Sequence, residues 1–280
     1  MRFLGLVTLW VFLPVGIFGQ EAEVIALFKQ AGARVTVDSA GHATKLFSGG
    51  KPAHSVADLR RIGELKHLEQ LAMNAPAAGD DEWGFLKALP KLQQLTIWHC
   101  KTISSLAPFS GLPIEGLTVG GSMGIRDLNK GDLQRQRDAI LSLHDLPNLK
   151  RLNLYHSPTA PDDVHLAHLA KQFPRLEDLK LDFSAPRGSE TKITPAGLRV
   201  LKALPLKVLS LEHVHSLTPE HMRAIAEIRP LEAVLIDARR GPEDVAPLVS
   251  ALQAARPGLE VVAAEQGAKQ PPARARRKRD

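Results

Sequence analysis

Apolar residues recur along this chain in one frame, L-x-x-L-x-L, with helically spaced stretches between the copies. The clearest copy is Leu92-Gln-Gln-Leu95-Thr-Ile97-Trp-His-Cys100. The others are Leu68/Leu71/Met73, Ile114/Leu117/Val119, Leu149/Leu152/Leu154, Leu176/Leu179/Leu181, Leu206/Leu209/Leu211 and Leu231/Val234/Ile236, with a degenerate last copy at Leu259 and Val262. The central anchors of the seven full copies are 24, 22, 35, 27, 30 and 25 residues apart. Side chains alternate along a strand, so the two apolar residues of L-x-L share one face. A single short strand cannot bury that face. Successive copies stacked in parallel can, because their leucines then form one continuous ladder.

Between the strands the chain carries helix start and stop signals. Ile193-Thr194-Pro195-Ala196-Gly197-Leu198 and Leu217-Thr218-Pro219-Glu220-His221-Met222 are near duplicates. Thr194 and Thr218 stand at N-cap positions, with Pro195 and Pro219 in the first turn, where a missing N–H costs nothing. Leu89-Pro90, Leu146-Pro147, Phe173-Pro174 and Leu204-Pro205 end the helical stretches and turn the chain toward the next strand.

Taken together, these residues resemble the leucine-rich repeat family, in the ribonuclease-inhibitor-like class with a helix in each repeat, and their phrasing is similar to that of bacterial secreted members. The resemblance covers residues 58–262. It implies an α/β solenoid of seven or eight repeats, curved, with parallel strands on a concave face and helices on a convex one. It also implies a non-enzymatic scaffold whose concave face binds a protein, with a glycan as the other partner class. The family's Asn ladder is missing: that position holds Pro76, Cys100, Ser122, Ser157, Ser184, Val214 and Arg239.

The repeats divide the chain into four parts. Residues 1–20 carry Arg2 followed by an apolar run from Phe3 to Phe18, with Gly19 before the charged Glu21, the pattern of a secretory leader. That run is shorter than the roughly 20 residues needed to span a bilayer. The expected location is therefore secreted or cell-envelope, with no transmembrane segment after leader removal. Residues 21–57 are expected to cap the open end of the ladder with a helix (Glu21–Gln30) and a strand (Arg34–Asp38). Residues 58–264 form the solenoid, with an extra helix expected between residues 132 and 143. Residues 265–280 form a tail.

Charge changes the picture only at that tail. The formal net charge is +6. Six of the basic residues, Lys269, Arg274, Arg276, Arg277, Lys278 and Arg279, fall in the last sixteen positions against only Glu265 and Asp280. With Arg2 in the leader, the body is left almost neutral, so the solenoid lacks the basic face that nucleic-acid binding needs. A composition rich in Pro, Ala and Arg predicts a disordered tail, and a second functional reading follows from it: polyanion binding through Arg274, Arg276, Arg277, Lys278 and Arg279.

No catalytic constellation, cofactor motif or metal site is evident in the sequence. Cys100 is the only cysteine, and it occupies the repeat's own Asn/Cys position, which reads as packing. His99, His156 and His213 share a frame position in alternate repeats, which sets them on the order of 10 Å apart, too far for one ion. Gly120-Gly121-x-x-Gly124 follows a strand but lacks the Lys-Ser/Thr of a phosphate loop.

The strand positions that point away from the ladder are the candidate docking residues. Two features stand out there. Trp98 and the single tyrosine, Tyr155, flank a repeat with Gly116 and Gly120, while Asp182, Glu212 and Asp237 line up as an acidic column; Asn153 lies between the two groups. Aromatic anchors beside small residues are typical of binding hot spots.

Overall fold

The structure is a computed structural model, described here for residues 15–49, 54–75, 77–98, 102–120, 130–157, 162–183, 192–212, 214, 216–237 and 242–264. Ten strands form one sheet in sequence order. They are β1 (Arg34–Val37), β2 (Ala43–Ser48), β3 (Gln70–Met73), β4 (Gln94–Trp98), β5 (Gly116–Gly120), β6 (Arg151–Ser157), β7 (Asp178–Phe183), β8 (Val208–Glu212), β9 (Ala233–Asp237) and β10 (Glu260–Ala264). Strand β1 is antiparallel to β2, and every later pairing is parallel.

The register is the leucine ladder. Leu71 pairs with Leu95, Leu95 with Leu117, Leu117 with Leu152, Leu152 with Leu179, Leu179 with Leu209 and Leu209 with Val234. All seven anchors are at most 2% exposed. Just before each strand, one backbone carbonyl takes N–H groups from the next repeat: Gln93 and Gln94 donate to Glu69, Glu115 and Gly116 to Gln93, and Lys150 and Arg151 to Glu115. That shared carbonyl locks the repeats in phase.

Each end of the ladder departs from the sequence expectation. At the start, β2 is a further parallel rung, with Leu46 opposite Leu71. Its frame is Ala43, Leu46 and Ser48, all buried, and Ser48 Oγ lies 2.6 Å from His54 Nε2. Alanine and serine hide the repeat from a leucine count. At the other end, Val261 rather than Val262 faces Val234. Only one residue separates Leu259 from Val261, where the other frames have two, and with a period of two that deletion turns Val262 to the opposite face.

The second layer is helical, though not uniformly so. Helices α1 (Val15–Gln30), α2 (Val56–Arg61), α3 (Lys130–Leu141), α4 (Asp163–Gln172), α5 (Pro195–Val200), α6 (Pro219–Ala226) and α7 (Pro242–Ala255) precede or link the strands. Between β3 and β4, and between β4 and β5, the links are 3₁₀ segments, Asp80–Ala88 and Ala107–Phe109. This corrects the expectation of a helix in each repeat. Those repeats are the shortest, and a 3₁₀ segment climbs about 2.0 Å per residue against 1.5 Å for an α-helix, so fewer residues cover the same height. Trp83 and Phe109 fill the layer there, ring edge to face with centroids 5.5 Å apart.

The helix starts follow the sequence closely. Thr194 Oγ1 accepts the Gly197 N–H, as an N-cap should. Thr218 holds the equivalent position, but its hydroxyl lies 2.8 Å from His221 Nδ1, which also accepts the Thr218 N–H. Helix α1 runs through residue 20 without a break, so the expected leader boundary falls inside a helix. Its Val24 and Phe28 are fully buried against the ladder. No described helix is long and apolar enough to cross a membrane.

Candidate functional site: a hollow on the open face of the sheet

Residues on the face opposite the ladder line a hollow of about 510 Å³ that reaches from β4 to β10. Its floor comes from the first and second open positions of successive strands. Gln94 and Thr96 lead to Gly116 and Thr118, then Arg151 and Asn153, Asp178 and Lys180, and Val208 and Ser210. Register alone puts them side by side: Thr96 pairs with Thr118, Thr118 with Asn153, Asn153 with Lys180, and Lys180 with Ser210.

The hollow is graded. Its early end is polar and its late end apolar, where Val208, Leu235 and Val262 meet. Two charged side chains in the wall are paired: Lys180 Nζ lies 2.7 Å from Glu212 Oε1, with both side chains about one-quarter exposed. The Asn153 Oδ1 is buried and accepts no hydrogen bond. A buried acceptor without a partner is unusual in a native fold and is relieved when a donor arrives. Gly116 leaves the floor open beside Gln94, whose amide occupies the space that a Cβ would need.

Of the residues singled out from sequence, Asn153 and Glu212 line this hollow, while Trp98, Tyr155, Asp182 and Asp237 lie outside its lining. Trp98 and Tyr155 both pair with Gly120, so they do stand on either side of it. At Gly120 φ is +146°, and a Cβ there would overlap the Tyr155 carbonyl oxygen. Trp98 also leans on Phe47, with centroids 5.7 Å apart, and the Arg34 guanidinium sits 4.3 Å above the Phe47 ring. Phe47, assigned to the cap by sequence, thus extends the aromatic patch.

The acidic column is not a row of open charges. Asp182 is 1% exposed, and Glu212 is engaged by Lys180. Asp237 pairs with Ala264 at the end of β9, and its side chain is outside the described residues. Also outside them are Cys100, His99, His213, Gly121, Gly124 and the tail, with Arg274, Arg276, Arg277, Lys278 and Arg279.

Several histidines tie repeats together. His165 Nε2 lies 3.2 Å from the Arg137 carbonyl and its Nδ1 2.9 Å from Asp162 Oδ1. His221 Nε2 donates to the Ile193 carbonyl and His168 Nε2 to that of Leu143. Burial holds the His165 imidazole below its ordinary pKa, against the pull of the Asp162 carboxylate. Burial alone would raise the Asp162 carboxyl, but hydrogen bonds from Arg137 and His165 bring it below the usual range.

One cluster escaped the sequence reading. Glu21, His42 and His67 each bring a ligand atom to within 4.8 Å of the others. They come from α1, from the β1–β2 turn and from the segment ahead of β3. No spacing motif announces such a set, because three elements of the fold create it.

The chain matches no protein-family model and no curated protein. Among solved structures it is similar to the leucine-rich repeat-containing protein LegL7 from Legionella pneumophila, at 16% identity and a TM-score of 0.39, over 80% of this chain and 84% of that one. Its own register decides the architecture. The fold is a leucine-rich repeat solenoid. The open strand face of this solenoid carries the hollow, and the helical layer lies behind it.

Proposed function

We propose that this leucine-rich repeat chain is a non-enzymatic, extracytoplasmic scaffold that holds a protein partner on the open face of its sheet. The observation that carries the reading is the hollow over β4–β10, with a polar floor, an apolar end and the unpaired Asn153 oxygen. Its volume lies in the range of sites that take one inserted group, about 300–1,000 Å³. A partner loop would seat an apolar side chain against Leu235 and Val262 and offer a donor to Asn153. Mixed charges at Arg151, Asp178, Lys180 and Glu212 favour a mixed-charge segment over a polyanion. The apolar leader favours an extracytoplasmic setting.

A photo-crosslinking residue placed at Thr118 tests this in the source cell, with one at Val164, 54% exposed on α4, as control. The expected result is a discrete adduct from position 118 alone, lost when Arg151 and Lys180 are both changed to Ala. Equal adducts from both positions would overturn the reading. So would an adduct that vanishes when the chain is ended at Ala264, which would favour the basic tail.

A further inference from the structure

Two of the residues that close the N-terminal end of the ladder are histidines stacked face to face: His42 and His67 have ring centroids 3.8 Å apart and planes 22° from parallel. Glu21 reaches them from α1. Its side chain is only 9% exposed, one oxygen lies 2.8 Å from His42 Nδ1, and the other accepts the Ala43 N–H at 2.8 Å. His67 Nδ1 is buried without a hydrogen-bond partner. His67 thus keeps an imidazole nitrogen shut away from water and bonded to nothing, while one of its ring nitrogens lies within 4.8 Å of ligand atoms of Glu21 and His42, a set able to accept a Lewis acid.

We propose that Glu21, His42 and His67 form a binding site for a divalent ion of the zinc class. Two imidazoles and one carboxylate suit zinc and its late-transition neighbours, whereas magnesium and calcium prefer all-oxygen shells. Three protein ligands leave one position for water, and the His42 side chain, 18% exposed, gives that water a route in. Around the cluster, Asp38 accepts the N–H groups of Ala40 and His42 and so fixes the turn that presents His42. The ion would join α1, the β1–β2 turn and the approach to β3, three segments that meet where the ladder is open. Since a metal sits in the plane of each imidazole it binds, loading turns the stacked rings out of parallel. The role is structural: the site clamps the end of the solenoid.

The test uses the full chain stripped with a chelator, then titrated with zinc and, separately, magnesium. Zinc at about a hundred times its Kd is expected to raise the Tm by roughly 5–10 °C, with no rise from magnesium. His67→Gln and His42→Gln, which keep a polar side chain at each position, are expected to abolish the rise. Cobalt titration gives a readout independent of the variants' folding: one equivalent should produce a visible absorption band that zinc removes. A wild-type chain that binds no cobalt, a zinc-induced rise that persists in His67→Gln, or an equal rise with magnesium would each overturn the proposal.

Discussion

The two faces of the sheet are made by alternate residues of the same strands, yet they follow different rules. On the ladder face apolar residues, most of them leucine, are repeated, and each copy does the same job: Leu152 is 1% exposed because Leu117 and Leu179 flank it in register. On the open face neighbours match only in places, as Gln70 does with Gln94 and Thr96 with Thr118. Thr118, Asn153, Lys180 and Ser210 follow one another across the sheet with no repeated chemistry. A face that holds the fold has to repeat, since each rung sees the same environment. A face that receives a partner need not, since its shape answers to something outside the chain.

Changes to the two faces should therefore separate in size. The largest loss is expected from Leu152→Ala, about 2–5 kcal/mol, because the rungs on both sides keep the cavity from collapsing; urea unfolding measures it. Next comes Gly120→Ala. The positive φ and the overlap with the Tyr155 carbonyl both oppose a side chain there, at about 1–3 kcal/mol. Gly116→Ala should cost under about 1 kcal/mol, because only the mobile end of Gln94 must move, and it should weaken partner binding by narrowing the floor. Both glycines lie on the open face, so equal destabilisation of the two variants would contradict the difference read from the backbone at Gly120 and the side-chain end at Gly116.

Thr194→Ala is expected to lose about 1 kcal/mol, in the helical layer rather than on either strand face. Its hydroxyl both caps α5 and donates to Asp163 Oδ2 at 2.6 Å, so hydrogen exchange should quicken in α5 and leave β7 and β8 protected.

Acid should loosen the helical layer in two stages. Burial holds His54 and His165 below the ordinary value of 6.5, so the folded chain favours their neutral forms. Their contribution is complete above pH 6.5 and is lost as pH falls from there through the lower folded-state values. Glu227, held down by Arg199 and Lys202, and Asp162 contribute above their ordinary values of 4.5 and 3.8 and lose that contribution at more acid pH. A thermal-denaturation series should show Tm flat above pH 6.5 and falling below it, with the first stage reduced in His54→Gln. A Tm that stays level down to the carboxylate range would contradict this.

Most of the ladder was legible in the sequence because leucine at every rung is a strong signal and every rung repeats it. Reading weakened where other residues did the same work. Ala43 and Ser48 hid β2, and one missing residue after Leu259 displaced the last rung. The short spacings around Leu95 were visible, but they did not reveal that the links there are 3₁₀ segments. Open-face residues were identifiable by parity, which put Asn153 and Glu212 in the hollow. What parity does not convey is depth. The conspicuous side chains Trp98, Tyr155 and Asp182 stand in the later halves of their strands, while the hollow lies mainly over the earlier halves. The Glu21, His42 and His67 cluster had no sequence signal, since its members are distant in sequence and converge only through the closing hairpin.

The division of labour between the faces is tested most directly within one strand. Lys180 and Leu181 are neighbours in β7, one lining the hollow and the other 0% exposed in the ladder. Equilibrium unfolding of Lys180→Ala and Leu181→Ala should give a loss below about 1 kcal/mol for the first and about 2–5 kcal/mol for the second, with partner crosslinking from position 118 weakened only by the first. Equal losses of stability, or crosslinking indifferent to Lys180, would contradict the account.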